Sequence, residues 1–308
     1  MRNALIVLLF LLPASLISYA QADKLLDELS ADMPKAGGAV SATFKATRII
    51  DGCSVENLGE GVLDFRISHR FGQVNQGYQN FYGLDNATTR IGLDYGIKPW
   101  LMVGIGHSAY NKDVDGSLKI KLLRQKLNGM PITLSYATSM NIETQQAPTL
   151  PAGDTWVFPN RLSYTHQLLI GRKFNESLSL QLTPTIVHYN IVDSSKFNNN
   201  TLALGIGGRI KLTKRMAITG EYYYRLTNTD LLFQGNPTFN SFSLGIDIET
   251  GGHVFQLMVT NSQGLTDRTF IGQTTDSWSK GALHIGFNVS RVFTVVKPKG
   301  FREGAASW

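Results

Sequence analysis

Three polar residues near the end of the chain come closest to a catalytic set. His284, Asn288 and Ser290 share one face of the segment ALHIGFNVSRVF, and His, Asn and Ser together can activate a hydroxyl nucleophile. Their spacing opposes that use. On an extended strand, residues four and six positions apart lie about 13 and 20 Å apart, beyond direct hydrogen bonding. Partners such as Ser68 or Ser243 would have to come from other strands, so an enzyme is not expected. Metal chemistry has even less support. His69, His107, His166, His188, His253 and His284 are scattered without an H-x-H pair, and Cys53 is the only cysteine. Neither a metal nor another cofactor is expected.

Charge is the larger chemical resource. Arg66, Arg70, Arg90, Lys119, Lys121, Arg161, Lys173, Arg209, Lys211 and Arg225 alternate with apolar residues, and so do Asp64, Asp94, Glu221 and Asp247. If all fourteen line one interior, cations outnumber acids there and an anion is the favoured solute. A structural reading competes: Asp64, Arg66, Arg90 and Asp94 on neighbouring strands pair and fill the space. Lys119 and Lys121 have no acid in phase on their own strand beyond Asp115 and are expected to be less locked in an ion pair along the strand than Arg90, with Asp247 or Glu221 left to reach across.

The elements that must position these residues follow from the alternation itself. TRIGLDYGI (89–97) sets Ile91, Leu93, Tyr95 and Ile97 against Arg90, Gly92, Asp94 and Gly96, the period of a strand with one apolar face. About twelve such segments run from residue 60 to 295, each near the nine to eleven residues that a tilted strand needs to cross a bilayer. Short links (IKP, KLNG, KFNE, TKR, ETGG) alternate with long ones (71–86, 141–160, 190–200, 227–238, 262–281). Pro184 inside the seventh segment predicts a bulge or an early strand end. GIG (104–106) and GIGG (205–208) lie within strands with no helix after them, so they read as interior space rather than phosphate loops.

No helices are available to cover a large apolar sheet face. The fold class is therefore all-β: a transmembrane up-and-down antiparallel β-barrel of about twelve strands, apolar side outward. In lipid only a closed barrel satisfies every strand hydrogen bond. Tyr95, Trp100, Tyr136, Tyr164, Tyr222 and Tyr224 are expected in the interfacial girdles. By this parity Leu93→Arg is costly, while Gly92→Ser, on the inward face, is tolerated.

Residues 1–22 carry Arg2, an apolar run from Ala4 to Leu12 and a small-residue site at Ala20-Gln21-Ala22, the pattern of a secretory signal peptide. Cys53 lies too far downstream to be a lipid-anchor cysteine. The formal net charge of +6 comes without a Lys/Arg run interleaved with aromatics, which argues against nucleic acid. The expected organisation is a leader (1–22), an N-terminal periplasmic or plug segment (23–59), the barrel (60–295) and a tail (296–308).

Several stretches carry a resemblance. ATFKATRIIDGCSVENL (42–58), LDFRISHRFG (63–72), FYGLDNATTRIGLDYGI (81–97), LMVGIGHS (101–108) and GFNVSRVFTV (286–295) resemble an uncharacterised bacterial outer-membrane β-barrel family, domain of unknown function 5777. The resemblance implies an outer-membrane barrel in a Gram-negative cell and supplies no ligand or catalytic residue. The expected function is passage or binding of a small, anionic solute, with outer-membrane lipid as the surroundings. The alternative is a non-transporting structural or partner-docking barrel, whose residues 23–59 meet a periplasmic partner or fold into the lumen. A lumen-site lipid hydrolase is third.

Overall fold

Twelve long strands close on themselves because their apolar and polar faces alternate without interruption. In the computed structural model, which describes residues 38–40, 42–146, 156–192, 198–230, 232–233 and 235–297, the chain forms fourteen strands. They are β1 (Val62–Gln73), β2 (Ala87–Lys98), β3 (Leu101–Ser108), β4 (Asp113–Leu123), β5 (Thr133–Glu143), β6 (Leu162–Lys173), β7 (Leu178–Tyr189), β8 (Asn200–Lys211), β9 (Met216–Arg225), β10 (Leu232–Phe233), β11 (Asn236–Pro237), β12 (Ser241–Thr250), β13 (His253–Thr260) and β14 (His284–Thr294). β10 and β11 make a small separate hairpin; the other twelve form one closed barrel. Every barrel pairing is antiparallel, and β1 closes on β14 from Val62↔Thr294 to Arg70↔Gly286. The leader and the tail beyond residue 297 lie outside the described residues.

The parity read from the sequence is the parity of the fold. Ile91, Leu93, Leu182, Ile206, Ile246 and Leu257 are exposed on the outside, while Arg66, Arg90, Lys119 and Glu221 are buried inside. Trp100 and Tyr224 are exposed at opposite strand ends, as interfacial girdles require. Among the described residues no helix is long and apolar enough to cross a membrane; the strands make the crossing.

Pro184 departs from expectation. β7 runs straight through it, with Pro184 opposite Leu204 of β8. The missing N–H interrupts only the other ladder, where the β6 register passes from Gln167↔Thr185 to Ile170↔Leu182. One side of a strand can lose a bond while the other keeps its register.

The link from β13 to β14 folds into the barrel rather than away from it. Asn261–Gly272 is buried apart from the half-buried Gln263 and contains a short helix, α1 (Asp267–Gly272). Thr266 caps α1 in a reciprocal capping box with Thr269.

Candidate functional site

The interior is occupied by the chain itself. Residues 42–58 enter beside the short turns, reverse, and leave on the same side. Val40 N–H donates to Gln125 O before the segment, and Gly61 N–H donates to Gly96 O after it. Arg48 bridges Cys53 in antiparallel fashion, and Ile49 N–H donates to Gly52 O at 2.8 Å to close the tip. The segment is a re-entrant hairpin. Its Phe44, Ile49, Ile50, Cys53 and Val55 form one buried apolar cluster with Ala137, Leu169 and Met258 of the wall.

Wall side chains hold this hairpin mainly through its backbone. Glu221 of β9 accepts from the N–H groups of Ile50, Asp51 and Gly52 at 3.3, 2.7 and 3.1 Å. Gln181 of β7 accepts from Val55 N–H and donates to Cys53 O at 2.9 and 2.7 Å. Gln256 donates to Ile49 O at 2.6 Å, and Asn288 donates to Ile50 O at 2.9 Å. Lys119 Nζ donates to the carbonyls of Thr47, Ser54 and Glu56, at 3.2, 3.0 and 2.5 Å. A hairpin inside a barrel has no ladder of its own along most of its length, so its buried backbone groups need such partners.

Ion pairs complete the attachment. Arg70 meets Asp51 at 2.5 Å with both side chains fully buried, Lys121 meets Glu56 at 3.4 Å, and Lys45 meets Glu249 at 3.0 Å. Arg66 and Asp94 both bond the Thr47 hydroxyl. Burial pushes the Cys53 thiol up from its ordinary value, partly offset by the neighbouring Arg48.

Twelve of the fourteen expected interior residues divide into three groups, and the other two, Lys173 and Lys211, are half-buried where β6 and β8 end. Arg66, Arg70, Asp94, Lys119, Lys121 and Glu221 contact the hairpin. Asp64, Arg90, Arg209 and Asp247 lie inside but bond to other wall residues: Asp64 to Arg66, Arg90 to Asp115, Arg209 to Glu249, and Asp247 to Gln256 and Thr219. Arg161 and Arg225 lie at the long-loop end. Arg161 donates to the carbonyls of Glu143 and Gln145, and Arg225 to Thr238.

Lys119 and Lys121 have no ion pair along their own strand, yet neither is free: the hairpin engages Lys119 through three carbonyls and Lys121 through Glu56 at 3.4 Å. Arg90 pairs with Asp115 in two bonds of 2.9 and 2.5 Å rather than with Asp94. Asp113 and Asp115 are both buried inside, so the interior is closer to charge balance than fourteen alternating positions implied. Of the expected N-terminal segment 23–59, residues 42–58 lie within the barrel, and residues 23–37 and 41 lie outside the described residues.

The glycines on the inner face make room for this filling. A Cβ at Gly106 would collide with the Arg90 guanidinium, and one at Gly207 with Ile49 of the hairpin. The amides of Gln181 and Gln256 were not singled out in the sequence. Their signal was an uncharged polar residue capable of both donating and accepting, at an inward position of a strand.

From the opposite end, α1 meets the hairpin tip. Arg48 pairs with Asp267 at 3.2 Å, and Asp267 also accepts from Ser139 at 3.0 Å. Arg268 binds both carboxylate oxygens of Asp113, at 3.0 and 2.7 Å, and reaches Glu143 at 2.9 Å. His284, Asn288 and Ser290 do not form a hydrolytic set. His284 has Phe71 O at 2.8 Å from Nδ1 and Asp276 at 2.7 Å from Nε2, so both ring nitrogens are engaged, and Asn288 is committed to Ile50, Gln256 and Arg70.

An apolar outside, a polar inside and a sheet with no free edge define an integral outer-membrane β-barrel. The model of one family, described as a membrane bound beta barrel domain (DUF5777), matches residues 44–293, and the chain belongs to that family. The match begins within the hairpin, so the hairpin is part of the family's domain and not an appendage. No curated protein matches the chain.

Among solved structures, the COG4313 outer membrane channel from Pseudomonas putida F1 is similar at 12% identity and a TM-score of 0.51, over 78% of this chain and 98% of that one. The NanC porin is similar at 10% identity and 0.47, over 75% and 98%. Outer membrane phospholipase A from Escherichia coli is similar at 8% identity and 0.41, over 76% and 98%. At 12% identity the likeness to the Pseudomonas putida channel shows the fold alone.

Proposed function

We propose that this barrel is a gated pore closed by its own N-terminal hairpin, and that a small solute passes only when residues 42–58 withdraw. The observation that carries the reading is the attachment of the hairpin tip to Glu221, Gln181, Gln256 and Asn288 through backbone groups. Those wall groups are polar, and water can take over their hydrogen bonds when the hairpin leaves. Both hairpin ends lie at the short-turn end, the periplasmic end in barrels of this kind, so withdrawal requires no threading of chain.

A modest anion preference fits the opened wall. Departure of Asp51 and Glu56 would free Arg70 and Lys121, and Lys119 would lose three carbonyls; Glu221 and Asp267 would be the acids freed, while Glu249 would lose Lys45 but keep Arg209. The test is conductance in planar bilayers. The whole protein should be silent or flicker rarely, and a variant lacking 42–58 should conduct steadily with anions favoured. If that variant does not reach the heat-modifiable folded form, Glu221→Ala should raise the open probability instead. A steadily conducting whole protein, or loosened variants that fold and stay silent, would favour the structural barrel.

A further inference from the structure

Around the mouth opposite the hairpin's entry, the long-loop end contains a cavity of about 260 Å³. Trp156, Arg161, Ile191, Val192, Phe233 and Arg268 are among the residues that line it. We propose that this cavity binds a small organic carboxylate with an apolar body.

Two hydrogen-bond donors point to the charge of the ligand. The buried indole Nε1 of Trp156 has no acceptor among the described residues. A buried donor without a partner calls for one from outside the chain. Arg161 uses one terminal nitrogen on the carbonyls of Glu143 and Gln145, and no carboxylate of the described residues forms an ion pair with it. The other cation of the cavity, Arg268, is already neutralised by Asp113 and Glu143. Arg161 thus offers an unneutralised guanidinium in a cavity that the unpartnered Trp156 also lines, and planar guanidinium groups bind carboxylates through charge-assisted, often paired, hydrogen bonds.

The remaining lining indicates the body. Ile191, Val192, Leu232 and Phe233 give the cavity an apolar lining besides those donors. The volume falls just below the range of about 300–1,000 Å³ typical of pockets for drug-sized ligands. A carboxylate on a single ring or a short branched chain suits that size better than an oligosaccharide or a lipid.

The site stands apart from the gating reading, because binding can be measured without conduction. Phenylacetate and its uncharged isostere phenylacetamide are the probes, titrated by calorimetry into the whole protein in lipid nanodiscs, with empty nanodiscs as the blank. Phenylacetate should bind saturably and at least tenfold more tightly than phenylacetamide. Arg161→Gln should weaken phenylacetate at least tenfold and change phenylacetamide little. Trp156→Phe, which keeps an aromatic ring and removes the N–H, should weaken phenylacetate a few-fold, and it carries the test if Arg161→Gln does not fold. No saturable binding of phenylacetate, equal binding of the two probes, or affinity untouched by the variants that fold would overturn the proposal.

Discussion

Two inserts enter this barrel from opposite ends, and they are held in different ways. The hairpin 42–58 is gripped by its backbone: amides, a carboxylate and an ammonium of the wall bond the N–H and C=O groups of residues 47–56. The β13–β14 link is gripped by its side chains: Arg268 takes Asp113 and Glu143, Thr266 takes Asp113, and Asp267 takes Ser139. A backbone grip can be replaced by water one bond at a time, whereas a buried guanidinium–carboxylate pair cannot be parted without stranding a charge. The link hangs on such a pair, Arg268–Asp113, whereas the hairpin adds one, Arg70–Asp51, to a grip that is otherwise mostly backbone, and the proposed withdrawal must rehydrate that pair.

That contrast gives graded expectations. Arg268→Ala should have the largest effect, because it leaves the fully buried Asp113 without its cation, at a cost of about 3–5 kcal/mol. Limited proteolysis of vesicles should then cut within 261–283, where the native chain resists. Glu221→Ala should come next. It strands three buried N–H groups of the tip, which costs the hairpin about 3 kcal/mol. Exchange of the amides of residues 49–55 should accelerate by about a hundredfold while the barrel keeps its heat-modifiable migration. Gln181→Leu should be the mildest. It removes one donor and one acceptor from the 53–55 backbone, worth about 1–2 kcal/mol, and should accelerate local exchange by about tenfold. If Gln181→Leu loosened the hairpin more than Glu221→Ala, the tip would not be its main anchor. If Arg268→Ala left the link as protected as before, the side-chain grip would be the wrong description.

The barrel was legible because its information is local. Alternation fixes the inside and outside of each strand, and a one-residue slip would turn Arg90 or Arg66 to lipid, so parity and closure followed from the residues. The hairpin was only half legible. Phe44, Ile49, Ile50, Val55 and Leu58 have no strand period, and nothing local says whether such a segment meets a partner or the chain's own interior. The partners of Lys119 lie 63–72 residues away in sequence, a separation that a reading along single strands does not capture.

Gly92 makes the same point at atomic scale. Its inward parity suggested that serine would be tolerated, yet a Cβ there would lie 2.6 Å from Arg90 Nη1. That guanidinium is held by Asp115 and has little freedom to give way. Parity says which way a side chain points; only the filled interior says whether there is room for it.

The central claim, that residues 42–58 lie inside the barrel, has a built-in reporter. Cys53 is the only cysteine of the chain and sits in the hairpin, buried, with its thiol pushed up from the ordinary range by that burial. A thiol so placed is poorly exposed and poorly ionised, and maleimides react with the accessible thiolate. The measurement is the rate at which a charged, membrane-impermeant maleimide labels Cys53 in permeabilised outer-membrane vesicles, against the same protein unfolded. The folded protein should remain essentially unlabelled over a time in which the unfolded chain reacts completely. Labelling of the folded protein at the rate of the unfolded chain would place the hairpin in solvent and contradict the account.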